Sequence, residues 1–274
     1  MMGKVITFGN FKGGTGKTTN CVMTAYALSQ LGYKVLVIDK DPQANGTTFL
    51  YRTYESIHDV EEVQHQHYLL EGIKQGDLSN CILSITDNLD LIPTTPAFAF
   101  YPRELQKLFK GDSKENERIA YFKKLLEQVK GNYDFVFVDV PPTISLFTDA
   151  ALFASDYVMI VMQTQEPSLQ GAEVFVEYMQ QMVDTHDLDL DVVGILPVIL
   201  KQDSKIDEAT LINAATVFGD ENIFDVRIKM MERLKRYFIT GITEVDHHDK
   251  NVLKVYTSVA KELLERIEMG VEVV

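Results

Sequence analysis

The sequence predicts an α/β protein: a doubly wound, mostly parallel sheet with helices on both faces. Two observations predict it. Short apolar runs alternate along the chain with stretches at helical spacing, the order of repeated βαβ units. Runs such as KVLVID (residues 34–39) are apolar at successive positions, as in a strand covered on both faces. The chain has 274 residues, enough for one sizeable α/β domain. No repeat, low-complexity tract or linker divides it, so residues 1–274 read as a single domain. Helices from about residue 229 to 268 are expected to pack on it.

The elements follow in order. KVITFG (residues 4–9) reads as the first strand. Helical spacing runs over residues 18–31, and Gly32 supplies a C-terminal stop. Further strands are expected at 34–39, 89–92, 135–139, 157–162 and 192–196. Helices are expected near 60–74, 115–130, 168–183 and 205–218, with residues 110–117 as a surface loop. A last helix over 251–267 places Val252, Tyr256, Val259, Leu263 and Ile267 at helical spacing.

Between the first strand and first helix lies Lys12-Gly13-Gly14-Thr15-Gly16-Lys17-Thr18-Thr19. A phosphate site wants this placement. Glycines let backbone N–H groups curl round an anion without a Cβ clash, and the helix N-terminus adds partial positive charge. Lys17 would bridge the β- and γ-phosphates of ATP, and the Thr18 hydroxyl would ligate Mg²⁺. The strict G-x-x-x-x-G-K-[ST] pattern fails, because Phe11 holds its first glycine position. The stretch matches K-G-G-x-G-K-T instead, with the additional Lys12.

Three more segments accompany the loop: Asp39-Lys40-Asp41-Pro42-Gln43 after the second strand, YDFVFVDVPP ending its apolar run at Asp139, and QTQEPSLQG over residues 163–171. Together these resemble the ParA/MinD group of deviant phosphate-loop ATPases over nearly the whole chain. The resemblance implies that Asp41 orients or activates the attacking water, that Asp39 supports the magnesium shell, and that Asp139 holds Mg²⁺ through water. Residues 163–171 would lie near a dimer interface, with a structural role favoured over a catalytic one. Thr15, Lys40 and Val140 depart from the usual residues of the group, and Lys40 could alter hydrolysis or dimer contacts.

In such relatives the lysine matching Lys12 reaches the partner's phosphates, so the resemblance implies a homodimer sandwiching two ATP molecules. It also implies a partition ATPase, cytoplasmic and nucleoid-associated. The ATP dimer would hold non-specific DNA, and a ParB-like centromere-binding partner would stimulate hydrolysis. With the loop so near the start, no extra helix-turn-helix domain of larger relatives is expected. The alternatives are a MinD-like spatial regulator at a membrane or protein scaffold, and a metabolic amidoligase, for which no second-substrate motif is visible.

The net charge of -14 repels nucleic acid, so DNA contact requires a local basic patch. RIKMMERLKR (residues 227–236) is the most basic short stretch. If helical from Lys229, it puts Lys229, Arg233 and Arg236 on one face, with Met230, Leu234 and Phe238 on a neighbouring face that can bury. Arg227 could serve the adenine base instead. Cys21 and Cys81 have no spacing for a metal site, disulfide framework or iron–sulfur cluster. The pairs His65/His67 and His247/His248 lack companions for zinc, and Cys21 reads as core. The opening residues are not expected to be a signal peptide, and no apolar run reaches a bilayer span. The acidic end of the last helix, with Glu262, Glu265, Glu268 and Glu272, favours core packing over a membrane role.

Overall fold

The computed structural model describes residues 3–201 and 204–269. The strands are β1 (Lys4–Gly9), β2 (Val35–Asp39), β3 (Leu83–Thr86), β4 (Leu89–Ile92), β5 (Phe135–Asp139), β6 (Tyr157–Gln163), β7 (Asp191–Leu200) and β8 (Ile228–Lys229). They join one sheet in the order β3-β4-β2-β5-β1-β6-β7-β8. Every pairing is parallel except the β3–β4 hairpin at one edge. The helices are α1 (Lys17–Gln30), α2 (Asn45–His58), α3 (Leu69–Gln75), α4 (Tyr101–Leu108), α5 (Glu115–Leu126), α6 (Leu146–Ala154), α7 (Glu166–His186), α8 (Lys205–Phe218), α9 (Glu232–Thr240) and α10 (His247–Met269).

Strand alternation decides which helices cover which face. Phe8, Val35, Val37, Phe135, Phe137, Met159 and Val161 point into a core shared with α1, α2, α9 and α10. Their neighbours Leu36, Ile38, Val136 and Val138 point the other way, onto α3, α4, α5 and α6. Val158, Ile160 and Met162 continue that second face under α7 and α8. This is the expected doubly wound sheet. All six expected strands are present.

The structure corrects several expected elements. The second helix is α2 at Asn45–His58, followed by the short α3; residues 60–68 are irregular. Its N-terminus has no side-chain cap of its own, so no local signal announces it. α4 and α6 were not anticipated, while α5 begins at Glu115 as expected for the 115–130 helix and so shortens the loop read over 110–117. α10 buries Val252, Tyr256, Val259 and Leu263 against the sheet's first face, as core packing requires. Glu272 lies outside the described residues. Among the described residues, no helix is long and apolar enough to cross a membrane.

β2 continues its alternation one step past its end. Asp39 turns toward α2, and Lys40 turns into the opposite core, fully buried. Its ammonium lies 4.1 Å from the Tyr101 ring centroid, 4.6 Å from Phe122, 5.3 Å from Phe98 and 6.0 Å from Phe147. It has no hydrogen-bond partner. Burial holds its pKa down at about 7, with Asp149 pulling the other way. Unfolded, the same amine titrates near 10.5. Between those values the unfolded chain binds the additional proton, so this group makes stability rise with pH. The cost of burying the charge is complete below about pH 7 and gone above 10.5. Cation–π attraction to the rings offsets part of it. Lys40→Met fills the same space without charge. It should raise the unfolding free energy by on the order of 2 kcal/mol at pH 6, with the gain shrinking toward pH 10. Denaturant titrations at the two pH values check this. A variant less stable than wild type at pH 6 would show that the charge is not a burden.

Candidate functional site

β2, β5 and β1 lie side by side, so three segments far apart in sequence end together at the C-terminal edge of the sheet. Phe8 and Asp39 both stand in register with Asp139. The 10–16 loop follows β1, the 39–43 segment follows β2, and Asp139 closes β5. This is the crevice where open α/β sheets bind ligands.

Two glycines of the loop, Gly14 (φ 75°) and Gly16 (φ 86°), are left-handed. A Cβ on Gly14 would meet nothing within 4 Å, so the loop's interior is open at that point. Gly16 caps α1 without any side-chain cap bond, which leaves the first N–H groups of the helix free for an anion. Lys17 is buried at the start of that helix. Burial lowers its pKa, while Asp139 and Asp41 pull it back up. Lys12 is exposed on the loop.

Beneath the loop, Thr18 Oγ1 donates to Asp139 Oδ2 at 2.6 Å. Asp139 Oδ1 is buried and accepts nothing. The Asp139 carboxyl is raised well above its ordinary range, first by burial and then by the charge of Asp39. Asp39 itself is pushed up to about 6, again chiefly by burial. A buried, unpaired carboxylate oxygen beside a threonine hydroxyl suits a hard cation. Among the described residues no three His, Cys, Asp or Glu groups converge on one point. A magnesium ion here would therefore take its other ligands from phosphate and water.

The carboxylate of Asp39 is already engaged. Oδ1 accepts from Asp41 N–H at 3.1 Å, and Oδ2 accepts from Thr47 N–H at 2.7 Å and Thr47 Oγ1 at 2.9 Å. A Cβ on Gly46 would come within 3.2 Å of that carboxylate. Asp39 thus anchors the start of α2, six residues away, and bends the intervening turn. Ala44 takes a left-handed φ of 55° there. Asp41 Oδ1 accepts from Gln43 N–H at 2.9 Å. This holds the second carboxylate near Lys17, on whose charge it acts.

The segment 163–171 turns out to strap the phosphate loop. Gln163 Nε2 donates to Gly14 O at 2.8 Å. Asn10 Nδ2 donates to Val161 O at 3.0 Å and Ser168 O at 3.2 Å, while Asn10 Oδ1 accepts from Lys12 N–H at 2.8 Å. Phe11 stacks edge-on against Phe175 and Tyr178 of α7, at 4.9 and 5.6 Å between centroids. That packing accounts for an aromatic residue at the expected glycine position. Gln163 and Ser168 belong to the segment read from the sequence as structural, whereas Asn10 escaped the motif-based reading because its amide donates to backbone carbonyls about 150 residues away.

One cavity adjoins the loop and a second lies at the β8–α9 corner. The first, of about 270 Å³, opens beside Gly16, Thr19 and Asn20 and is walled by Val198, Ile199 and Ile228. Ile199 holds a φ of 60° at its edge, a rare conformation for a β-branched residue. The second, of about 740 Å³, lies between the β8–α9 corner and α10 and is lined by Arg227, Lys229, Arg233 and Arg236. Arg227 belongs to this cleft and not to the cavity by the loop, and it donates to Phe224 O.

The basic residues are not arranged as one helical face. Lys229 ends β8, and α9 starts only at Glu232. Arg233 is largely buried and paired with Asp246 and, at 3.3 Å, with the buried Asp249. Met230 is 46% exposed, whereas Leu234 and Phe238 pack on the core. Lys229 and Arg236 are the exposed cations that remain from the expected trio.

Known proteins are similar to this chain in sequence and fold. A sequence family described as an AAA domain matches residues 3–192. The chain is 30% identical over 275 residues to the sporulation initiation inhibitor protein Soj of Bacillus subtilis, spanning 96% of this chain and 98% of Soj. It is 30% identical over 196 residues to a virulence plasmid ParA family protein of Chlamydia psittaci, spanning 70% of this chain and 68% of that one. The structure superposes on an ATP complex of Cyanothece McdA with a TM-score of 0.79 at 22% identity, covering 96% of this chain and 97% of that one.

The strap yields a test. A Cβ on Gly171 would lie 2.6 Å from Asn10 Oδ1 and 3.0 Å from Lys12 N. Gly171→Ala should therefore displace the loop, lowering stability by about 1–3 kcal/mol and weakening triphosphate binding. Calorimetric titration and thermal melts would measure both. Wild-type affinity in this variant would mean that the strap does not shape the loop.

Proposed function

This chain belongs to the ParA family of partition ATPases, and from that premise we propose that it binds ATP with Mg²⁺, dimerises around it, and holds DNA until hydrolysis releases it. The observation that carries the reading is the Thr18–Asp139 pair beneath the glycine loop, with one Asp139 oxygen unpaired. It supports a triphosphate with its metal at the sheet's C-terminal edge.

In this reading the amides of Gly13, Gly14, Thr15, Gly16, Lys17, Thr18 and Thr19 cradle the phosphates. Lys17 balances the β- and γ-oxygens. Thr18 and Asp139 would hold Mg²⁺, which when bound would supply charge compensation at the phosphates. Asp39 acts one step back, through the turn it fixes. Asp41 orients the attacking water, since phosphoryl transfer depends on positioning and charge compensation more than on covalent help. The cavity of about 270 Å³ beside Gly16 offers apolar walls for the base. Lys12, exposed on the loop, would stabilise the partner's γ-phosphate in trans.

DNA binding in this reading is non-specific and electrostatic, centred on Lys229 and Arg236. Arg233, neutralised by two aspartates, serves the fold instead. A ParB-like centromere-binding protein would trigger hydrolysis, and the protein would work in the cytoplasm at the nucleoid.

Two measurements test the proposal. Lys17→Ala should abolish ATP binding, whereas Asp41→Ala should bind ATP and stop turnover, leaving the dimer trapped on DNA. Normal hydrolysis by the Asp41 variant would remove its assigned role. For DNA, the slope of log affinity against log salt should steepen with ATP, by about 0.9 for each additional phosphate neutralised. Replacing Lys229 and Arg236 with Ala should flatten it, while Arg233→Ala should chiefly lower stability. An equal slope with and without ATP would favour the regulator working at a membrane or protein scaffold, which vesicle co-sedimentation with ATP would then detect.

A further inference from the structure

A helix that offers its first N–H groups to an anion cannot engage them with a side-chain cap, and α1 has none. Its left-handed entry residue, Gly16, must be held from the carbonyl side. Two donors do this. Gly16 O accepts from the Asn20 backbone N–H at 2.9 Å, an ordinary helical bond, and from the Asn20 side-chain Nδ2 at 2.8 Å. The Asn20 carbonyl oxygen in turn accepts from the Tyr256 hydroxyl at 3.0 Å.

Tyr256 sits in the middle of α10, fully buried, within the Val252–Val259–Leu263 stripe that packs on the sheet face carrying α1. It lies outside residues 3–192, the part matched to the AAA domain family. Only one orientation of the Asn20 amide satisfies both neighbours: NH₂ toward the Gly16 carbonyl, oxygen toward the phenol. Tyr256 and Asn20 also line the cavity beside the loop. Burial keeps the phenol protonated, so the hydroxyl remains a donor.

We infer that Tyr256 is a positioning residue for the nucleotide: from the C-terminal helix it fixes the Asn20 amide, and through it the Gly16 turn that opens the phosphate site. This rests on the reading of the loop as an ATP site. Removing only the hydroxyl leaves the aromatic packing intact and strands a buried acceptor on Asn20. The amide is then free to turn, and the loop loses one of its two carbonyl anchors. Apo protein would populate the binding-competent loop less often, which weakens apparent affinity without altering the chemical step.

The test uses the full chain and ATP–Mg²⁺, with calorimetric titration and steady-state hydrolysis well below the melting temperature. Tyr256→Phe should weaken ATP binding about 5- to 10-fold and raise KM to match, with kcat at saturating ATP within about twofold. Asn20→Ala should weaken binding at least as much. The double variant should be no worse than Asn20→Ala alone, because the two side chains act in series. A purely structural tyrosine would lower the melting temperature and leave affinity unmoved. Wild-type affinity in Tyr256→Phe, or fully additive losses in the double variant, overturns the inference while Lys17→Ala still reports a working ATP site. If the wild-type chain itself fails to bind ATP, the reading beneath falls and takes the inference with it.

Discussion

A loop that grips an anion with its own amides has few of them left to hold itself in shape. That constraint organises this molecule. If the N–H groups from Gly13 onward serve the anion, as proposed above, the loop must be fixed by its carbonyls, by the side chains flanking it and by elements outside it. Each is used. Gln163 takes the Gly14 carbonyl, Asn20 the Gly16 carbonyl, and Asn10 stitches the loop's start to β6 and α7. Phe11 adds an apolar clamp on α7. The loop is thus braced from both sides of β1, by α7 on one face of the sheet and by α10 on the other.

The same edge concentrates negative charge. Asp39 and Asp139 are fully buried in register with each other on adjacent strands, and Asp41 follows two residues later. Burial raises the pKa of both carboxyls first, and neighbouring charge raises them further, Asp41 acting on Asp39 and Asp39 on Asp139. Lys17 offsets only part of that charge. The arrangement favours cations, which explains how an acidic protein can present a site attractive to a magnesium–triphosphate complex. Lys40, one residue from Asp39, contributes nothing to this balance, because strand alternation sends it through to the opposite face among aromatic rings.

How much of this was legible in the sequence follows from range. The strands could be read because their apolar runs are local and their burial on both faces is a property of each segment alone. The phosphate loop could be read for the same reason: glycines, lysine and threonine lie within eight consecutive residues. The helix α2 could not, because what starts it is the Asp39 carboxylate reaching Thr47 and not a capping residue of its own. The basic helix expected from Lys229 failed on tertiary grounds. Lys229 adds a strand to the edge of the sheet, and Arg233 is taken up by Asp246 and Asp249 from the start of α10. Charge pattern reveals which residues are basic, but it cannot reveal which of them have already found a carboxylate.

The C-terminal helix joins these threads. Its stripe of Val252, Tyr256, Val259 and Leu263 is what an amphipathic core helix requires, and periodicity alone explains it. Yet its Asn251, Val252 and Val255 line the basic cleft, and Tyr256, one residue further, reaches Asn20 beneath the phosphate loop. A helix packed this tightly moves as a rigid piece, since cores at crystal-like density transmit displacement. If Tyr256 positions the loop as inferred above, a shift of α10 at the cleft would reach the Tyr256–Asn20 contact, and by reciprocity an ordered loop would be felt at the cleft. Packing and positioning would then be one property of one helix, in which a residue that looks like ordinary core bears on a site at the far end of its hydrogen bond.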